Sequence, residues 1–186
     1  SSNIFIGYPA GKSETGSNKL YIENRNSPTP PIYGELDNDI VKVNGQLEVT
    51  EGITVNKTAD TDFSYNGDVM YFGSGSTTQG ALHYLNSSGG WTLADADAAS
   101  SAGGVMLAIA LGTDPDANGM LLKGTFTLDS DPGTIGDELY VSTTAGKITG
   151  TAPSATGDIV RVVGYCLDST NGQIYFNPSS DWVELS

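Results

Sequence analysis

Residues 157–185 read GDIVRVVGYCLDSTNGQIYFNPSSDWVEL, and this stretch decides the fold class. Two runs rich in apolar, β-branched and aromatic residues, 159–167 and 173–176, flank a turn sequence that ends in Asn171-Gly172. Asn-Gly between such runs is the strongest short-range signal of a β-hairpin. The near-continuous apolarity of 159–167 predicts a strand covered on both faces. A third run at 181–185 follows a Pro-Ser-Ser turn, so the chain is predicted to end inside a sheet.

The composition of the whole chain favours an all-β fold. Glycine occurs 24 times in 186 residues, and the apolar residues, at 38%, are spread over short runs between turns. No long stretch carries apolar side chains at helical spacing without Gly or Pro. The best helical candidate, 93–102, is therefore predicted to be a loop.

The second part of the chain, 59–186, is predicted to be an antiparallel β-barrel or sandwich that forms a head domain. Gly-Asp stands before an apolar run at Gly67, Gly136 and Gly157, and each pair predicts a turn ahead of a strand. Together with the hairpin, about ten short strands separated by turns are typical of such a domain. The other predicted strands are 81–85, 91–93, 105–111, 120–128 and 147–149.

The charge balance excludes several classes of partner. Twenty-two acidic residues oppose eight basic ones and give a net charge of −14, which repels nucleic-acid phosphates and anionic membranes. No run of about 18 apolar residues is present, so no membrane insertion is predicted. The chain begins Ser1-Ser2 without Met, and we expect it to be a C-terminal fragment or a processed form of a longer protein.

The first part of the chain, 1–58, carries apolar strands too short to bury a face within one chain. Between 36 and 56, apolar residues alternate in pairs around the turns Asn44-Gly45 and Glu51-Gly52, which predicts three short strands with one apolar side. Three chains wound about one axis would bury that side, whereas one chain would leave it in water. We therefore predict an intertwined homotrimeric β-shaft with a Pro-rich elbow at 27–31; the alternative is a meander packed on the C-terminal domain. The predicted shaft core consists of Val41, Val43, Leu47, Val49, Ile53 and Val55.

The start of the chain also carries a family resemblance. Residues 3–11, NIFIGYPAG, resemble one coil of the N-x-x-I-G-x-x-A-G repeats in the heads of trimeric autotransporter adhesins and in fibre proteins of tailed bacteriophages. Residues 16–24 and 31–36 continue as they do in those fibre proteins. The chain departs from the pattern in having a single coil, Pro9 in place of a polar residue, and no chaperone domain.

The C-terminal part is similar to the terminal modules of phage fibre proteins and decoration-type virion proteins. The likeness lies in the order of its turn motifs rather than in any catalytic segment. These motifs are WTLADA at 91–96, DPGTIGD at 131–137, YVSTTAG at 140–146 and VVGY at 162–165.

The resemblance implies a function at the surface of a virion. It describes a homotrimeric structural fibre of a tailed bacteriophage, without enzymatic activity, whose head attaches to a glycan or protein of the host cell surface. Contacts with other virion proteins are expected through chain that precedes the present sequence. Two alternatives stay open: the head of a trimeric adhesin on a bacterial cell surface, and, less favoured, a polysaccharide-degrading tailspike.

Residue chemistry gives little support to catalysis. His83 is the only histidine, and in its strand it shares a face with the apolar Ala81 and Leu85, so a packed histidine is predicted rather than a general base. Cys166 is the only cysteine and lies in the most apolar strand, which predicts an inert core thiol. One histidine and one cysteine do not supply the ligands of a structural zinc site.

One acidic segment resembles a calcium loop. Asp114, Asp116 and Asn118 match the first half of the pattern D-x-D-x-[DN]-G, but the twelfth position is Thr125 instead of Glu, so no EF-hand is predicted. A turn capped by Asp side chains is the preferred interpretation. A looser structural calcium site is the alternative, and no other cofactor is expected.

Aromatic side chains are the candidates for receptor contact. Trp91 and Trp182 lie where loops meet strands, and Tyr84 lies in a neighbouring strand. Tyr and Trp in such positions suit sugar stacking and protein interfaces. Burial at the rim of the core is the equal alternative.

Overall fold

The computed structural model describes residues 2–50, 54, 56 and 58–186. The chain divides into two compact units, Ser1–Ile53 and Thr54–Ser186. Only 4% of the chain is helical, and its regular structure is otherwise β-strand in several antiparallel sheets, so the predicted all-β class is confirmed. The described residues contain no helix with the length and apolarity that a membrane span requires.

The first unit contains a four-stranded sheet of very short strands, β1 (Ile4–Ile6), β2 (Lys19–Ile22), β3 (Ile32–Glu35) and β4 (Ile40–Val43). The strands follow one another across the sheet; β1 and β2 are parallel, and the other neighbours are antiparallel. Asn3 ties the parallel pair together, because its amide donates to Gly16 O at 2.9 Å and accepts from Lys19 N at 3.0 Å. The leading Asn of the coil motif therefore has a local structural role.

Part of the strand prediction for the first unit is wrong. Of the three strands expected between 36 and 56, the first is present as β4, and the second is absent because Leu47 and Val49 lie outside any strand. The third, around Ile53 and Val55, lies outside the described residues. Asn56 and Thr58, which the sequence assigned to the end of the shaft, accept hydrogen bonds from the second unit: Asn66 Nδ2 donates to Asn56 O at 3.2 Å. The side chain of Gln173 donates to Thr58 O at 3.3 Å and also bonds to Asp60. The trimeric shaft itself stays a prediction.

The second unit is built on one curled, half-barrel sheet, so the predicted barrel or sandwich is present only in this coarser form. Its strands and its two short helices are β5 (Tyr65–Met70), β6 (Leu82–Leu85), β7 (Trp91–Leu93), α1 (Ala99–Ala102), β8 (Leu107–Ala110), α2 (Pro115–Asn118), β9 (Met120–Thr127), β10 (Glu138–Val141), β11 (Ile148–Thr149), β12 (Ile159–Val160), β13 (Val162–Asp168), β14 (Gln173–Phe176) and β15 (Val183–Glu184). The sheet follows the path β11-β10-β13-β14-β9-β8-β6-β7, with β5 also paired to β9. A separate two-stranded sheet joins β12 to β15.

Apolar side chains cover both faces of the curled sheet around β8. Leu107 and Ile109 belong to the larger core cluster, whereas Ala108 and Ala110 belong to a smaller cluster with Trp91. Successive residues of a strand point to opposite faces, so β8 is covered on both. The largest fully buried side chains of the main cluster are Phe126, Phe176, Leu82, Ile109, Leu121, Leu139, Ile159 and Ile174.

The C-terminal hairpin is confirmed. β13 and β14 pair in antiparallel register on either side of the turn that ends at Gly172, and β15 places the end of the chain in a sheet. The prediction that 159–167 is covered on both faces is wrong for its second half. Val163 and Cys166 are buried, but Tyr165 and Leu167 are exposed, because that part of β13 has only one face on the core.

Arg161 divides the predicted strand 159–167 into β12 and β13. Its guanidinium is buried, with 6% of the residue exposed, and it donates to backbone carbonyl groups. Nη1 contacts the oxygens of Ala102, Gly103 and Val105 at 3.0, 2.5 and 2.8 Å, and Nε contacts that of Ser179 at 2.8 Å. One side chain therefore fastens the segment after α1 and the segment after β14 to the sheet.

Two further local predictions are wrong. Residues 99–102, expected in a loop, form helix α1, and Gly67-Asp68, expected as a turn, lies inside β5. Gly67 pairs with Gly124 of β9, and a Cβ on Gly124 would lie 2.2 Å from Asn66 O. The two backbones approach so closely that only glycine fits, which is why this Gly continues a strand.

This close approach predicts a large cost for Gly124→Ala. Gly124 has φ +146°, so alanine would add backbone strain to the collision with Asn66 O. Gly136→Ala is the matched control, because Gly136 also has positive φ, +89°, but a Cβ there would meet nothing within 4 Å. We expect Gly136→Ala to lower the free energy of unfolding by about 1–2 kcal/mol from strain alone. Gly124→Ala should lower it by about 1–3 kcal/mol more.

Urea unfolding followed by tryptophan fluorescence measures both changes, since Trp91 and Trp182 lie in the second unit. Equal losses for the two variants would show that the close approach contributes nothing to the free energy of unfolding.

Candidate functional site

The first unit presents one sheet face that is made of aliphatic side chains and is open to solvent. The register places Ile4 opposite Leu20, Ile6 opposite Ile22, and Val43 opposite Ile32, so these side chains share one face. Val41, opposite Gly34, lies on the same face. Four side chains of this face are strongly exposed: Ile4 at 49%, Ile6 at 53%, Val41 at 64% and Val43 at 40%. We call this set the aliphatic face: Ile4, Ile6, Leu20, Ile22, Ile32, Val41 and Val43.

The opposite face of the same sheet is aromatic and is partly covered by its own chain: Tyr21 is 7% exposed, whereas Phe5 is 41% exposed. Phe5, Tyr21 and Tyr33 form an edge-to-face series with centroid distances of 5.6 and 5.3 Å. A Cβ on Gly11 would lie 2.4 Å from the Phe5 ring, so the loop that follows β1 packs directly on it. The Tyr21 hydroxyl donates to Glu14 Oε2 at 2.6 Å, and this bond raises the pKa of Tyr21 to about 12. Among the described residues of this unit, the aliphatic face is thus the more open of the two faces of the sheet.

The predicted shaft residues fall partly on the aliphatic face. Val41 and Val43 belong to it, and Leu47 and Val49 are exposed beyond the end of β4. Ile53 and Val55 lie outside the described residues. Sequence reasoning missed the members from β1, β2 and β3. The signal that could have found them is the alternation of aliphatic and aromatic residues in 4–6, 20–22 and 32–33.

The aromatic residues predicted to contact a receptor are not brought together. Trp91 is 3% exposed; its Nε1 donates to Phe72 O at 3.0 Å, and its ring meets the Phe72 ring edge-on at 5.3 Å. Tyr84 is half-buried against the larger core cluster, on the other face of the sheet. Trp182 is 38% exposed, and its Nε1 lies beside Gly104. Trp182 therefore has the most accessible ring of the three.

The acidic segment forms a capped helical turn. Asp114 Oδ1 accepts from Asp116 N at 3.0 Å and from Ala117 N at 3.3 Å, which makes Asp114 the N-cap of α2. Asn118 Oδ1 accepts from Asp114 N at 3.1 Å and closes the same turn. Among the residues that the structure describes, no group of three or more His, Cys, Asp and Glu side chains is arranged to hold a metal ion.

His83 and Cys166 both lie in the interior. His83 is 1% exposed; its Nδ1 lies 2.9 Å from Ala81 O, and its Nε2 accepts from Thr78 N at 3.4 Å. This pattern fits a neutral ring protonated at Nδ1. Burial lowers the pKa of His83, and the bond to Ala81 opposes that shift. The Cys166 thiol is buried and donates to Gly133 O at 3.5 Å, and burial raises its pKa.

Comparison with known proteins assigns this chain to no family. The chain matches no protein-family model, no curated protein and no solved structure. A functional proposal for it therefore rests on its own surfaces, of which the aliphatic face is the most prominent, and on the sequence resemblance of residues 3–11.

The buried His83 predicts a pH dependence of stability. Because its pKa is lower in the folded than in the unfolded chain, its contribution is fully present above the unfolded value of 6.5 and is lost as pH falls. We expect a loss of up to about 1 kcal/mol between pH 6.5 and 5.5 from this group. The matched control is His83→Gln, which cannot titrate and should lack this part of the pH dependence.

Urea unfolding at a series of pH values, together with NMR titration of the His83 ring, provides the measurement. A ring that titrates at or above its ordinary pKa, or identical pH profiles for the two proteins, would contradict the prediction.

Proposed function

We propose that this chain is a structural fibre protein of a tailed-bacteriophage virion, that it assembles as a homotrimer through the aliphatic face, and that its second unit attaches to the host cell surface. The observation that carries the proposal is the aliphatic face. An apolar sheet face open to water marks an interaction surface more often than a tolerated defect.

The energetics favour an apolar partner for this face. Fully burying one Val, Leu or Ile side chain stabilises by about 1.5–3 kcal/mol, so covering the four that are about half exposed, Ile4, Ile6, Val41 and Val43, would contribute about 3–6 kcal/mol per chain. None of the seven side chains of the aliphatic face carries a charge. A partner recognised through charge would find nothing to bind there.

A second copy of the chain is a fitting partner, since each copy carries the same uncharged face. Copies with a net charge of −14 repel one another, so their contact is favoured only where both surfaces are apolar. The number three rests on the resemblance of residues 3–11 to coils of trimeric fibres and adhesins. Leu47 and Val49 would lengthen the buried strip along the axis of the trimer.

The attachment role follows from the division of the chain into two units. The second unit has a packed core and long connections between strands, such as 71–81 and 128–137, and a rigid scaffold of this kind commonly carries recognition residues on its loops. Trimerisation would present three copies of it to one cell surface. Weak sites then give strong attachment, because linked binding events raise the apparent affinity.

The same geometry would serve a trimeric adhesin on a bacterial cell surface, because the coil resemblance is shared. The location of the protein separates the two. Gold-labelled antibodies against the chain should decorate virus particles in the source sample if it is a virion fibre, and cell envelopes if it is an adhesin.

The assembly prediction is tested with Val41→Glu, which places a charge on the aliphatic face. Lys42→Gln is the matched control: it alters net charge by the same amount on the same strand, but Lys42 lies on the aromatic face, 5.9 Å from the Tyr33 ring. We expect the wild type and Lys42→Gln to have about three times the chain mass of 19.3 kDa, and Val41→Glu to be a monomer. Sedimentation equilibrium measures these masses. A monomeric wild type would contradict the proposed shaft, and a dimeric wild type would contradict the threefold arrangement.

The attachment prediction uses the same variants. On any bacterial strain that binds the fluorescent wild-type chain, Val41→Glu should bind with an apparent affinity about 10²–10⁴ lower, because three linked heads become one. Lys42→Gln should bind like the wild type. Equal affinities of the trimer and the monomer in flow cytometry would show that attachment does not depend on assembly.

A further inference from the structure

Arg161 is a buried cation without an acidic partner in the described residues. Its guanidinium donates to the carbonyl oxygens of Ala102, Gly103, Val105 and Ser179, and among the described residues it forms no ion pair with Asp or Glu. Burial alone lowers the pKa of Arg161, since no carboxylate opposes it. A buried charge of this kind is costly unless an opposite charge lies nearby.

The Arg161 side chain still has donors to offer. Nη1 and Nε are occupied by backbone oxygens, whereas the described residues provide no hydrogen-bond partner for Nη2. Arg161 lines an open pocket of about 310 Å³, to which Lys123 of β9 adds a second cationic side chain. Lys123 likewise has no ion pair among the described residues.

The composition of this pocket is unusual for so acidic a chain. The chain has eight basic residues against twenty-two acidic ones, yet two of the basic residues line this pocket and no Asp or Glu does. Asp68, the cross-strand partner of Lys123, and Asp181, just after Ser180, are outside the lining. We call this site the Arg161 pocket.

The remaining lining favours a sugar over a simple ion. Asn177 and Ser180 supply an amide and a hydroxyl, which hydrogen bond readily to sugar hydroxyl groups. Met106, Leu122 and Pro178 supply an apolar patch that suits the C–H face of a pyranose ring. The volume is at the low end for ligand pockets, as expected for one sugar unit.

We propose that the Arg161 pocket binds an acidic sugar of a surface glycan, with the carboxylate or sulfate group of the sugar held between Arg161 Nη2 and the Lys123 ammonium. This acidic sugar would be the ligand through which the second unit attaches to a cell surface. Only the source of the sugar, a surface glycan, rests on the proposed attachment role. A charge-assisted hydrogen bond from a desolvated guanidinium is stronger than one between neutral groups. Trp182 Nε1 lies beside Gly104, and Arg161 Nη1 donates to the neighbouring carbonyl groups of Gly103 and Val105. Trp182 therefore lies next to the loop that Arg161 fastens.

The overall charge sets the strength expected of this site. A chain of charge −14 repels an anionic glycan at distances beyond the pocket, so each site should be weak and its association slow at low salt. A weak monovalent site is compatible with attachment through several linked heads.

The experiment follows the arginine signals of the full-length chain. The chain has only two arginines, Arg161 in the pocket and Arg25, whose side chain is 79% exposed, so arginine-selective ¹⁵N labelling gives one reporter and one internal control. Titration with glucuronate at constant ionic strength should shift the Arg161 Nε–Hε signal saturably and leave that of Arg25 in place. Glucose 6-sulfate should shift the same signal, and neutral glucose should not.

Two variants test the pocket without touching its buried cation. Lys123→Ala should weaken glucuronate binding about two- to fivefold, the usual effect of losing one exposed charge partner. Lys147→Ala is the matched control, because Lys147 is an exposed lysine of the same unit that pairs with Asp129 outside the pocket. It should leave the affinity unchanged.

Each other outcome overturns the proposal. An Arg161 signal that never saturates, or that moves equally with glucose, would show that Arg161 serves only to fasten the two backbone segments. Tighter binding of N-acetylglutamate amide than of glucuronate would assign the pocket to an acidic peptide. Equal losses of glucuronate affinity in Lys123→Ala and Lys147→Ala would show that the shift of the Arg161 signal reflects the general electrostatics of the chain and not binding in the pocket. None of these readings depends on the oligomeric mass, so failure here is distinct from failure of the trimer.

Discussion

A strand of three or four residues cannot bury a layer of side chains by itself, and this limit governs the first unit. Its sheet has two apolar faces, and the loop that follows β1 covers only part of one of them, where it packs on Phe5 and where Glu14 bonds to Tyr21. The second unit overcomes this limit within one chain, because its long curled sheet places a core cluster on each face of β8. The difference between the units explains why assembly is proposed for one and recognition for the other.

The elements that the sequence predicted well are those whose signals are local. The Asn171-Gly172 hairpin and the turns at Gly136 and Gly157 were predicted from residues that favour turn conformations. In the structure, Gly136, Gly157 and Gly172 all lie in turns and have positive φ. Strand β7 was predicted at its observed bounds, because a short apolar run stood between turn residues. The burial of His83 followed from its apolar neighbours in β6.

The predictions that failed concern elements that depend on partners far away in the sequence. The break at Arg161 arises from carbonyl groups 56 to 59 residues earlier, which the run 159–167 does not reveal. Gly67 looked like a turn residue because its counterpart, Gly124, becomes visible only with the register of β5 and β9. Trp91 stood at a loop edge in the sequence, yet Phe72 covers its ring. Five of the seven residues of the aliphatic face were missed for the same reason, since the side chains of strands as short as β1 can be assigned to a face only once the strands are paired.

The charge of the chain connects the two proposals. Fourteen net negative charges would keep copies apart everywhere except on a surface that carries none, and the aliphatic face is such a surface. The same charges would discourage contact with anions everywhere except where two cations are gathered without an acid between them, as in the Arg161 pocket. Repulsion over most of the surface thus acts as a filter: self-association is confined to one sheet face and anion recognition to one pocket. A chain of neutral charge with the same two features would lack that discrimination, because nonspecific contacts would compete with both.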